Sequence, residues 1–267
     1  MEKLNHKINV KYFNIEKFDI KLDTEIIGRN FIYCEEIDST NSYLMSSKEK
    51  LQHGTILLSE FQKEGRGRRN RSWVSNKGQN LTFSILLSKS IKFKNVNVIN
   101  LASSLSVAHA IENLYQLKVN LKWPNDVLID DKKISGILLD SSSKSNKIEL
   151  AVLGIGINVN QPNFSGKFDL QPTSIRKEFK KEVSRERLLS EVLNIFEENF
   201  ELVKKAPQKV LSDWKSRCKL LGEKVKVVHN DNVIHGIFEN ISKEGYLLLN
   251  TGNKIGSIHF GDISLRT

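Results

Sequence analysis

The chain has 267 residues, of which 39% are hydrophobic and 27% are charged. This composition supports one substantial core, or a catalytic domain with a small accessory domain. No segment approaches the roughly 18 consecutive apolar residues of a membrane span, and the polar N-terminus lacks the apolar stretch of a secretory signal. Two distant cysteines, Cys34 and Cys218, exclude a cysteine zinc site and favour a reducing cytoplasm.

The net charge is +10, which is compatible with nucleic-acid binding. The lysines are spread along the whole chain and do not gather in one tract. Acidic substrates and acidic partner surfaces explain the same charge. The charge balance therefore leaves both classes of function open.

The first half of the chain predicts strands, a long loop and one helix. Residues 1–30 alternate apolar and charged side chains and are too short and irregular for a helix-turn-helix domain. Residues 55–61 and 81–87 are strand candidates. The roughly twenty residues between them form a long loop of the kind that is usually functional or disordered. Apolar residues at helical spacing predict a helix over 97–117 with one buried face.

The second half predicts a hairpin, a long helix and a different C-terminal texture. Residues 119–123 predict a strand, residues 127–129 and 134–139 a hairpin, and residues 148–159 a further β-rich run. Ser184 caps a helix predicted to end at residue 205, with Pro207 just beyond it. After Gly222, short strands at 225–228, 236–241, 246–249 and 255–260 predict a small all-β barrel, with a boundary near 219–222.

The arginine loop, residues 65–71, lies inside the long loop and reads Gly-Arg-Gly-Arg-Arg-Asn-Arg. Guanidinium groups bind phosphate oxygens bidentately, and the glycines allow close backbone approach to a ligand and positive φ angles. The composition favours a loop that orders over a phosphorylated or adenylated ligand. A nucleic-acid-binding Arg-Gly segment and a solvated charged loop are the alternatives. The GxxxxGK[ST] pattern of a Walker A loop is absent from the sequence.

Two further segments place lysines beside turns. Lys122 precedes Trp-Pro-Asn-Asp at 123–126, which can hold a carboxylate and nucleotide phosphates or position a general base, although turn formation alone is the simpler explanation. Lys133 precedes a strand and can point into the sheet, although most hairpin lysines are solvated. Gly136 inside that strand indicates close approach by a ligand, or a bulge.

The remaining polar motifs lie at 38–41 and 154–160. Asp-Ser-Thr-Asn at 38–41 is explained by a helix cap, and it can also present hydroxyls and an amide to a ureido or carboxylate group. Gly154 and Gly156 weaken a strand and need a reason, of which a β-bulge is the simplest. Asn158 offers a donor and an acceptor that suit an adenine edge. The six histidines show no metal-ligand spacing.

Taken together and in this order, these segments resemble the biotin protein ligase family. The resemblance rests on Asp-Ser-Thr-Asn at 38–41, Gly-Arg-Gly-Arg-Arg at 65–69, Lys-Trp-Pro-Asn-Asp at 122–126, Lys-x-x-Gly at 133–136 and Gly-Ile-Asn at 156–158. It implies an α+β fold with a mixed β-sheet catalytic domain over 1–220, flanked by helices and similar to class II aminoacyl-tRNA synthetases. Residues 221–267 are expected to form an SH3-like β-barrel.

The resemblance also implies roles for individual residues. Biotin would be bound by Ser39, Thr40, Asn41, Gln62, Gly65, Arg66, Gly67, Arg68, Lys133 and Gly136. The adenylate would be bound by Arg71, Trp73, Asn125 and Asn158. The catalytic residues would be Arg68, Lys122, Asp126 and Lys133, with Asp126 helping to deprotonate the acceptor lysine. The resemblance assigns no metal-binding side chain.

The implied reaction uses biotin and ATP as substrates, with Mg²⁺, and forms biotinyl-5′-AMP. The acceptor is then a lysine of the biotin carboxyl carrier protein of acetyl-CoA carboxylase or a related carboxylase. The implied enzyme is cytoplasmic, without membrane or specific DNA binding, and the resemblance allows a homodimer.

Two departures and two rival functions qualify this interpretation. Asn70 stands where the family loop has a third glycine, which puts the flexibility of the loop and its rate of adenylate release in question. Only some thirty residues precede the matched region, which predicts a monofunctional enzyme without repressor activity. A lipoate or octanoate ligase of the same fold is one rival, but Ser39, Thr40 and Gln62 suit a ureido group better than an apolar channel. A nucleic-acid-binding regulator is the other, and the missing helix-turn-helix argues against it.

Overall fold

The computed structural model describes residues 11–47, 51–69, 71–88, 91–92, 95–144, 147–229, 232–259 and 261–265. Its helices are α1 (Ile15–Asp19), α2 (Thr40–Ser46), α3 (Val96–Tyr115), α4 (Ile175–Phe179), α5 (Arg185–Lys205) and α6 (Pro207–Ser216). None of these helices is long and apolar enough to cross a membrane.

The strands fall into two groups along the chain. The first group is β1 (Phe31–Ile37), β2 (Ile56–Gln62), β3 (Leu81–Leu87), β4 (Ile91–Lys92), β5 (Asn120–Lys122), β6 (Asp126–Ile129), β7 (Lys132–Lys144) and β8 (Lys147–Ile157). The second group is β9 (Lys224–His229), β10 (Asn232–Ile241), β11 (Leu247–Asn250), β12 (Ile255–Ile258) and β13 (Asp262–Leu265).

The first group forms one mixed sheet in the order β1-β2-β3-β8-β7-β6-β5, with β4 paired to β8. Strands β1 and β2 are parallel, and the other neighbours are antiparallel. The predicted mixed sheet is therefore confirmed. The hairpin between β6 and β7 is also confirmed, and Asp130 and Asp131 turn it with φ angles of 46° and 63°.

The sheet is covered on both faces, which explains why every residue of β3 is buried. Side chains alternate along a strand, so that Leu81, Phe83 and Ile85 join the main core while Leu86 packs on the opposite face. The main core includes side chains of α3, α5 and α6, and the smaller cluster includes Leu44 of α2.

Helix α3 is more deeply buried than its sequence indicates. One buried face was expected, but α5, α6 and the sheet all contact this helix. Its buried serines tolerate this environment because their hydroxyls donate to carbonyl oxygens of the preceding turn, as Ser103 does to Ile99 at 2.7 Å. The helix can be enclosed because its buried polar residues are serines whose hydroxyls donate to carbonyls of the same helix.

Helix α5 begins as predicted, with Ser184 as its N-cap accepting from the backbone N–H of Arg187. Pro207 does more than follow its end, because it starts helix α6, where a proline at the first position loses no hydrogen bond. The sequence analysis did not predict α6. The chain then enters the second sheet, which is fully antiparallel in the order β12-β11-β10-β9-β13.

A buried ion pair and its hydrogen bonds join residues 11–13 to the sheet. Arg185 Nη1 lies 2.5 Å from Glu60 Oε2, and the two side chains are 5% and 0% exposed. Arg185 also donates to the carbonyl of Lys11 at 2.7 Å, and Glu60 accepts from the backbone N–H of Phe13 at 2.7 Å. Residues 11–13 are therefore anchored to the core around the sheet. Residues 1–10 lie outside the described residues.

We predict that Arg185→Ala lowers the free energy of unfolding by about 3–5 kcal/mol, because it leaves the Glu60 carboxylate buried without a counter-charge. Lys204→Ala is the matched control, since the pair Lys204–Glu201 is 43% and 44% exposed. It should cost at most about 1 kcal/mol. Urea unfolding of both variants measures the difference, and equal small losses would contradict the prediction.

Candidate active site

A cavity of about 560 Å³ opens between the arginine loop, the central strands β7 and β8 of the sheet, and Asp262 of β13. Most of the residues predicted from sequence line it: Ser39, Thr40, Asn41, Gln62, Arg66, Gly67, Arg68, Arg71, Trp73, Asn125, Asp126, Lys133, Gly136 and Asn158. Gly65 and Lys122 do not line the cavity, and Asn70 lies outside the described residues. Residues distant in sequence thus meet in one place.

One end of the cavity is polar and uncharged. Because β1 and β2 are parallel, with Ile37 opposite Gln62, the N-terminus of α2 lies beside the end of β2. The backbone N–H and the hydroxyl of Thr40 donate to Gln62 Oε1 at 2.7 and 2.9 Å. Ser39 caps α2, as its motif predicts, by accepting from the backbone N–H of Ser42. The cap and the candidate ligand contacts therefore occupy the same turn.

Asn41 of α2 packs on the face of the sheet over β3, β8 and β7 and is only 4% exposed. Its Oδ1 lies 2.6 Å from Ser84 Oγ, and its Nδ2 donates to the carbonyl of Leu138 at 3.2 Å. A Cβ at Gly154 would lie 2.2 Å from Asn41 Oδ1. Close approach by Asn41, and not a β-bulge, explains this glycine, since strand pairing continues through position 154 on both sides.

Trp73 lies in a slot that two paired glycines leave open. Gly136 of β7 is directly opposite Gly156 of β8. A Cβ at Gly156 would lie 2.2 Å from the Trp73 indole, and a Cβ at Gly136 would lie 3.3 Å from it. The Lys133 ammonium lies 5.8 Å from the centre of the indole ring. The β6–β7 pairing is irregular between Lys133 and Ser135, but Gly136 itself is paired on both sides. The glycines make room for the Trp73 indole as an aromatic platform and, at Gly136, also for the Lys133 side chain, 3.1 Å from such a Cβ.

Backbone hydrogen bonds join the described residues of the arginine loop to one another and to Trp73. Gly67 N–H donates to the carbonyl of Arg71 at 2.7 Å, and Trp73 N–H donates to the carbonyl of Gly65 at 2.8 Å. A Cβ at Gly65 would lie 2.1 Å from the carbonyl oxygen of Trp73. The prediction of positive φ angles at Gly65 and Gly67 is wrong. Arg69, with a φ of 53°, takes the left-handed conformation. The glycines are needed for close backbone contact instead.

Three arginines of this loop converge on Asp262, at the start of β13. Arg68, Arg69 and Arg71 approach its carboxylate to 3.2, 3.5 and 2.6 Å. Arg68 also donates to Asn125 Oδ1 at 3.3 Å. Burial lowers the pKa of Arg68, and the charge of Asp262 opposes that shift. The C-terminal sheet thus supplies the carboxylate that gathers the loop arginines at the second end of the cavity.

Lys133 and Asp126 form a close pair at the same cationic end, with Nζ 2.6 Å from Oδ1. Lys122 does not line the cavity but is paired with Asp126 between β5 and β6. Burial lowers the pKa of Lys122, while the charges of Asp126 and Asp262 raise it. The peptide bond between Trp123 and Pro124 is cis, in the turn that leads to these residues.

Several lining or supporting residues were not predicted from sequence. Asp262 and the segment 164–170, which closes one side of the cavity, carry no recognisable motif. Ser84 and Asp140 lie in strands and contact the predicted residue Asn41. Their only sequence signal is a polar residue within a buried strand. Among the described residues, there is no group of three or more His, Cys, Asp or Glu side chains that could hold a metal ion.

The cavity is therefore suited to a ligand with two unlike ends. Neutral donors and acceptors at Thr40, Asn41 and Gln62 fit a polar uncharged group. The cluster of Arg68, Lys133 and neighbouring cations fits carboxylate and phosphate oxygens. Such a site can hold a carboxylic acid next to a nucleotide and stabilise the charge of a phosphoryl transfer.

Comparisons with known proteins agree with this chemistry. Residues 33–158 match the Biotin/lipoate A/B protein ligase family, and residues 220–266 match the Biotin protein ligase C terminal domain. The bifunctional ligase/repressor BirA of Bacillus subtilis is 30% identical over 250 residues, covering 91% of this chain and 76% of the relative. The biotin–[acetyl-CoA-carboxylase] ligase of Mycobacterium tuberculosis is 28% identical, covering 79% of this chain and 78% of the relative.

Among solved structures, the biotin protein ligase of Aquifex aeolicus in complex with biotin and ATP is 33% identical and superposes with a TM-score of 0.77. The match covers 89% of this chain and 99% of that structure. Sequence, fold and the two-ended cavity agree, and the chain belongs to the biotin protein ligase family.

Proposed function

We propose that this chain, which like its family is an ATP-dependent biotin ligase, transfers biotin to a lysine of the biotin carboxyl carrier protein of acetyl-CoA carboxylase or a related carboxylase. The observation that carries the proposal is the continuity of the neutral and cationic ends of one cavity. A single ligand, biotinyl-5′-AMP, matches both ends. The acceptor is named from the biotin–[acetyl-CoA-carboxylase] ligases among the relatives.

In the first step, the biotin carboxylate attacks the α-phosphate of ATP and pyrophosphate leaves. We assign the ureido ring of biotin to Ser39, Thr40 and Gln62, and its carboxylate to Lys133. Little covalent chemistry falls to the protein, so positioning and charge stabilisation dominate. Arg68, which is held beside Asn125, and Lys122 would offset the negative charge that gathers on the phosphates.

The adenosine part is assigned to the side of the cavity that Trp73 and Asn158 line. The Trp73 indole offers a flat face for stacking. Asn158 is 3% exposed and offers a donor and an acceptor for an adenine edge. Arg71, which lies 2.6 Å from Asp262, would meet the phosphates at the loop end.

In the second step, the lysine amine of the carrier attacks the acyl carbon of the mixed anhydride, and AMP leaves. The amine must be neutral to attack, and we assign the role of accepting its proton to Asp126, which lines the cavity. The arginine loop and the segment 164–170 would hold the labile anhydride away from water.

Mg²⁺ would enter the site bound to the nucleotide. This ion is usually held by one or two carboxylates together with substrate phosphates. Asp126 and Asp262, at the cationic end, are the carboxylates that would hold it. Bound there, the ion would neutralise phosphate charge, as Lys122 and Arg68 are proposed to do.

We further propose that residues 1–220 form the catalytic domain, with a class II aminoacyl-tRNA synthetase-like sheet, and residues 221–267 an SH3-like barrel. The fully antiparallel sheet that follows Gly222, whose φ is 84°, supports the second assignment. The free thiols of Cys34 and Cys218 support a cytoplasmic location. A homodimer stays a prediction of the resemblance.

Pyrophosphate exchange tests the proposed first step. We expect labelled pyrophosphate to exchange into ATP when biotin is present, because adenylate formation is reversible on the enzyme. Lipoate and octanoate should support no exchange, since neither carries a ureido group for Thr40 and Gln62. Exchange with lipoate or octanoate but not with biotin would overturn the assignment.

The loop assignment predicts that Arg68→Gly releases biotinyl-5′-AMP and labels bystander proteins, because a contact that holds the loop to Asn125 and Asp262 is lost. Lys63→Gly is the matched control: it removes one charge just before the loop, from a side chain that is 56% exposed, pairs with Glu36 and lies outside the cavity lining. Streptavidin blotting of an added bystander protein measures the leak. Tight retention by Arg68→Gly, or equal labelling by both variants, would contradict the prediction.

The platform assignment predicts that Gly156→Ala expels the Trp73 indole and raises the KM for ATP by about tenfold, since overpacking typically costs ~1–3 kcal/mol. Tryptophan emission should also shift to the red, because Trp123 and Trp214 are 2% and 1% exposed and do not move. Gly256→Ala is the control, as a Cβ there has no neighbour within 4 Å. An unchanged KM and emission spectrum would refute the platform.

A further inference from the structure

A chain of hydrogen bonds runs from the neutral end of the cavity into the sheet. Gln62 Oε1 accepts from the hydroxyl of Thr40 at 2.9 Å. Ser84 Oγ lies 2.6 Å from Thr40 Oγ1 and 2.6 Å from Asn41 Oδ1. Asn41 Nδ2 then donates to Asp140 Oδ2 at 3.1 Å. Gln62, Thr40, Ser84, Asn41 and Asp140 thus form one series, in which each side chain is hydrogen-bonded to the next.

Asp140 extends this chain to the arginine loop. Arg66 Nη2 lies 3.2 Å from Asp140 Oδ2 and 3.4 Å from Oδ1, and Arg66 Nη1 donates to Ser42 Oγ at 3.0 Å. One carboxylate oxygen therefore accepts from an interior amide and from a loop guanidinium. Asp140 is 24% exposed and Arg66 is 48% exposed, so that the pair lies where the loop meets the cavity wall.

At Ser84, this series of hydrogen bonds has one donor fewer than it has acceptors. The Thr40 hydroxyl already donates to Gln62, so the oxygens of Thr40 and Asn41 both face the single hydroxyl hydrogen of Ser84. One hydrogen cannot satisfy two acceptors fully. A ligand N–H that donates to one of them would release the Ser84 hydrogen to the other.

The Asn41 amide has little freedom to respond by turning over. The carbonyl of Leu138 and the carboxylate of Asp140 both accept from its Nδ2, and a turned amide would present Oδ1 to these two acceptors. A ligand that completes the hydrogen bonds at Thr40 and Asn41 therefore strengthens the orientation that presents Nδ2 to Asp140. Cooperative strengthening of this kind is expected along a buried chain of hydrogen bonds.

We propose that Asp140 is a positioning residue that couples occupancy of the neutral end to the position of the arginine loop. This inference rests on the proposed function, in which the neutral end holds the ureido ring and the loop retains the adenylate. Asp140 does not touch the reacting atoms. It acts through Asn41 on one side and through Arg66 on the other.

The test separates the two contacts of Asp140. Asp140→Asn keeps one oxygen that can accept from Asn41 but removes the charge that holds Arg66, whereas Asp140→Ala removes both. Pyrophosphate exchange gives the KM values for biotin and ATP, and a chase with excess unlabelled biotin gives the release rate of labelled biotinyl-5′-AMP. Asp131→Asn, at an exposed pair with Lys219, is the matched control.

We expect Asp140→Asn to speed adenylate release by about tenfold with little change in the KM for biotin, which is within the usual range of coupling between sites. Asp140→Ala should speed release equally and also raise the KM for biotin by about tenfold, with the KM for ATP unchanged in both. In an Arg66→Ala background, Asp140→Asn should add no further release. Asp131→Asn should match the wild type.

Three results would overturn the coupling: unchanged release in both Asp140 variants, additive effects of Arg66→Ala and Asp140→Asn, or an equal rise in the KM values for biotin and ATP. A merely structural role would lower the unfolding midpoint and reduce kcat without this split between the two substrates. Absence of biotin-dependent exchange in the wild type would count against the proposed function itself, so that the two failures are distinguishable.

Discussion

The cavity depends on three positions in its central strands where no side chain is present. Gly136, Gly154 and Gly156 lie in β7 and β8, and the space beside them is filled by Trp73 and Asn41. A single added carbon at Gly154 or Gly156 would lie 2.2 Å from one of these side chains. Because Trp73 follows the arginine loop and Asn41 belongs to α2, two separate parts of the chain reach the same patch of sheet.

The charged side chains are concentrated at one end of the cavity. The neutral end is built from hydroxyls and amides that hydrogen-bond to one another. Its rim carries the ion pair between Arg66 and Asp140. At the other end, carboxylates such as Asp262 orient the arginines before a nucleotide arrives. Donors that are already oriented and partly desolvated lose little freedom when they bind phosphate, which favours transition-state stabilisation.

Local patterns predicted the regular elements well, and for identifiable reasons. The helix starting after Ser184 and the hairpin at Asp130 and Asp131 follow from capping and turn chemistry, which act over a few residues. Helix α6 was missed because Pro207 was interpreted as an end, although a proline also starts a helix. Of the two reasons for the loop glycines, close backbone approach and positive φ, the second is wrong, since Arg69 and not Gly65 or Gly67 has the positive φ.

The sequence by itself determined the residue types of the site, because motifs such as Gly-Arg-Gly-Arg-Arg and Lys-Trp-Pro-Asn-Asp are contiguous and chemically distinctive. Only the tertiary structure decided that Asp262 gathers three loop arginines and that Asp140 joins Asn41 to Arg66. These contacts link residues up to 194 positions apart. A single carboxylate carries no pattern in sequence, and its partners are chosen by sheet pairing and packing, which act through space and not along the chain.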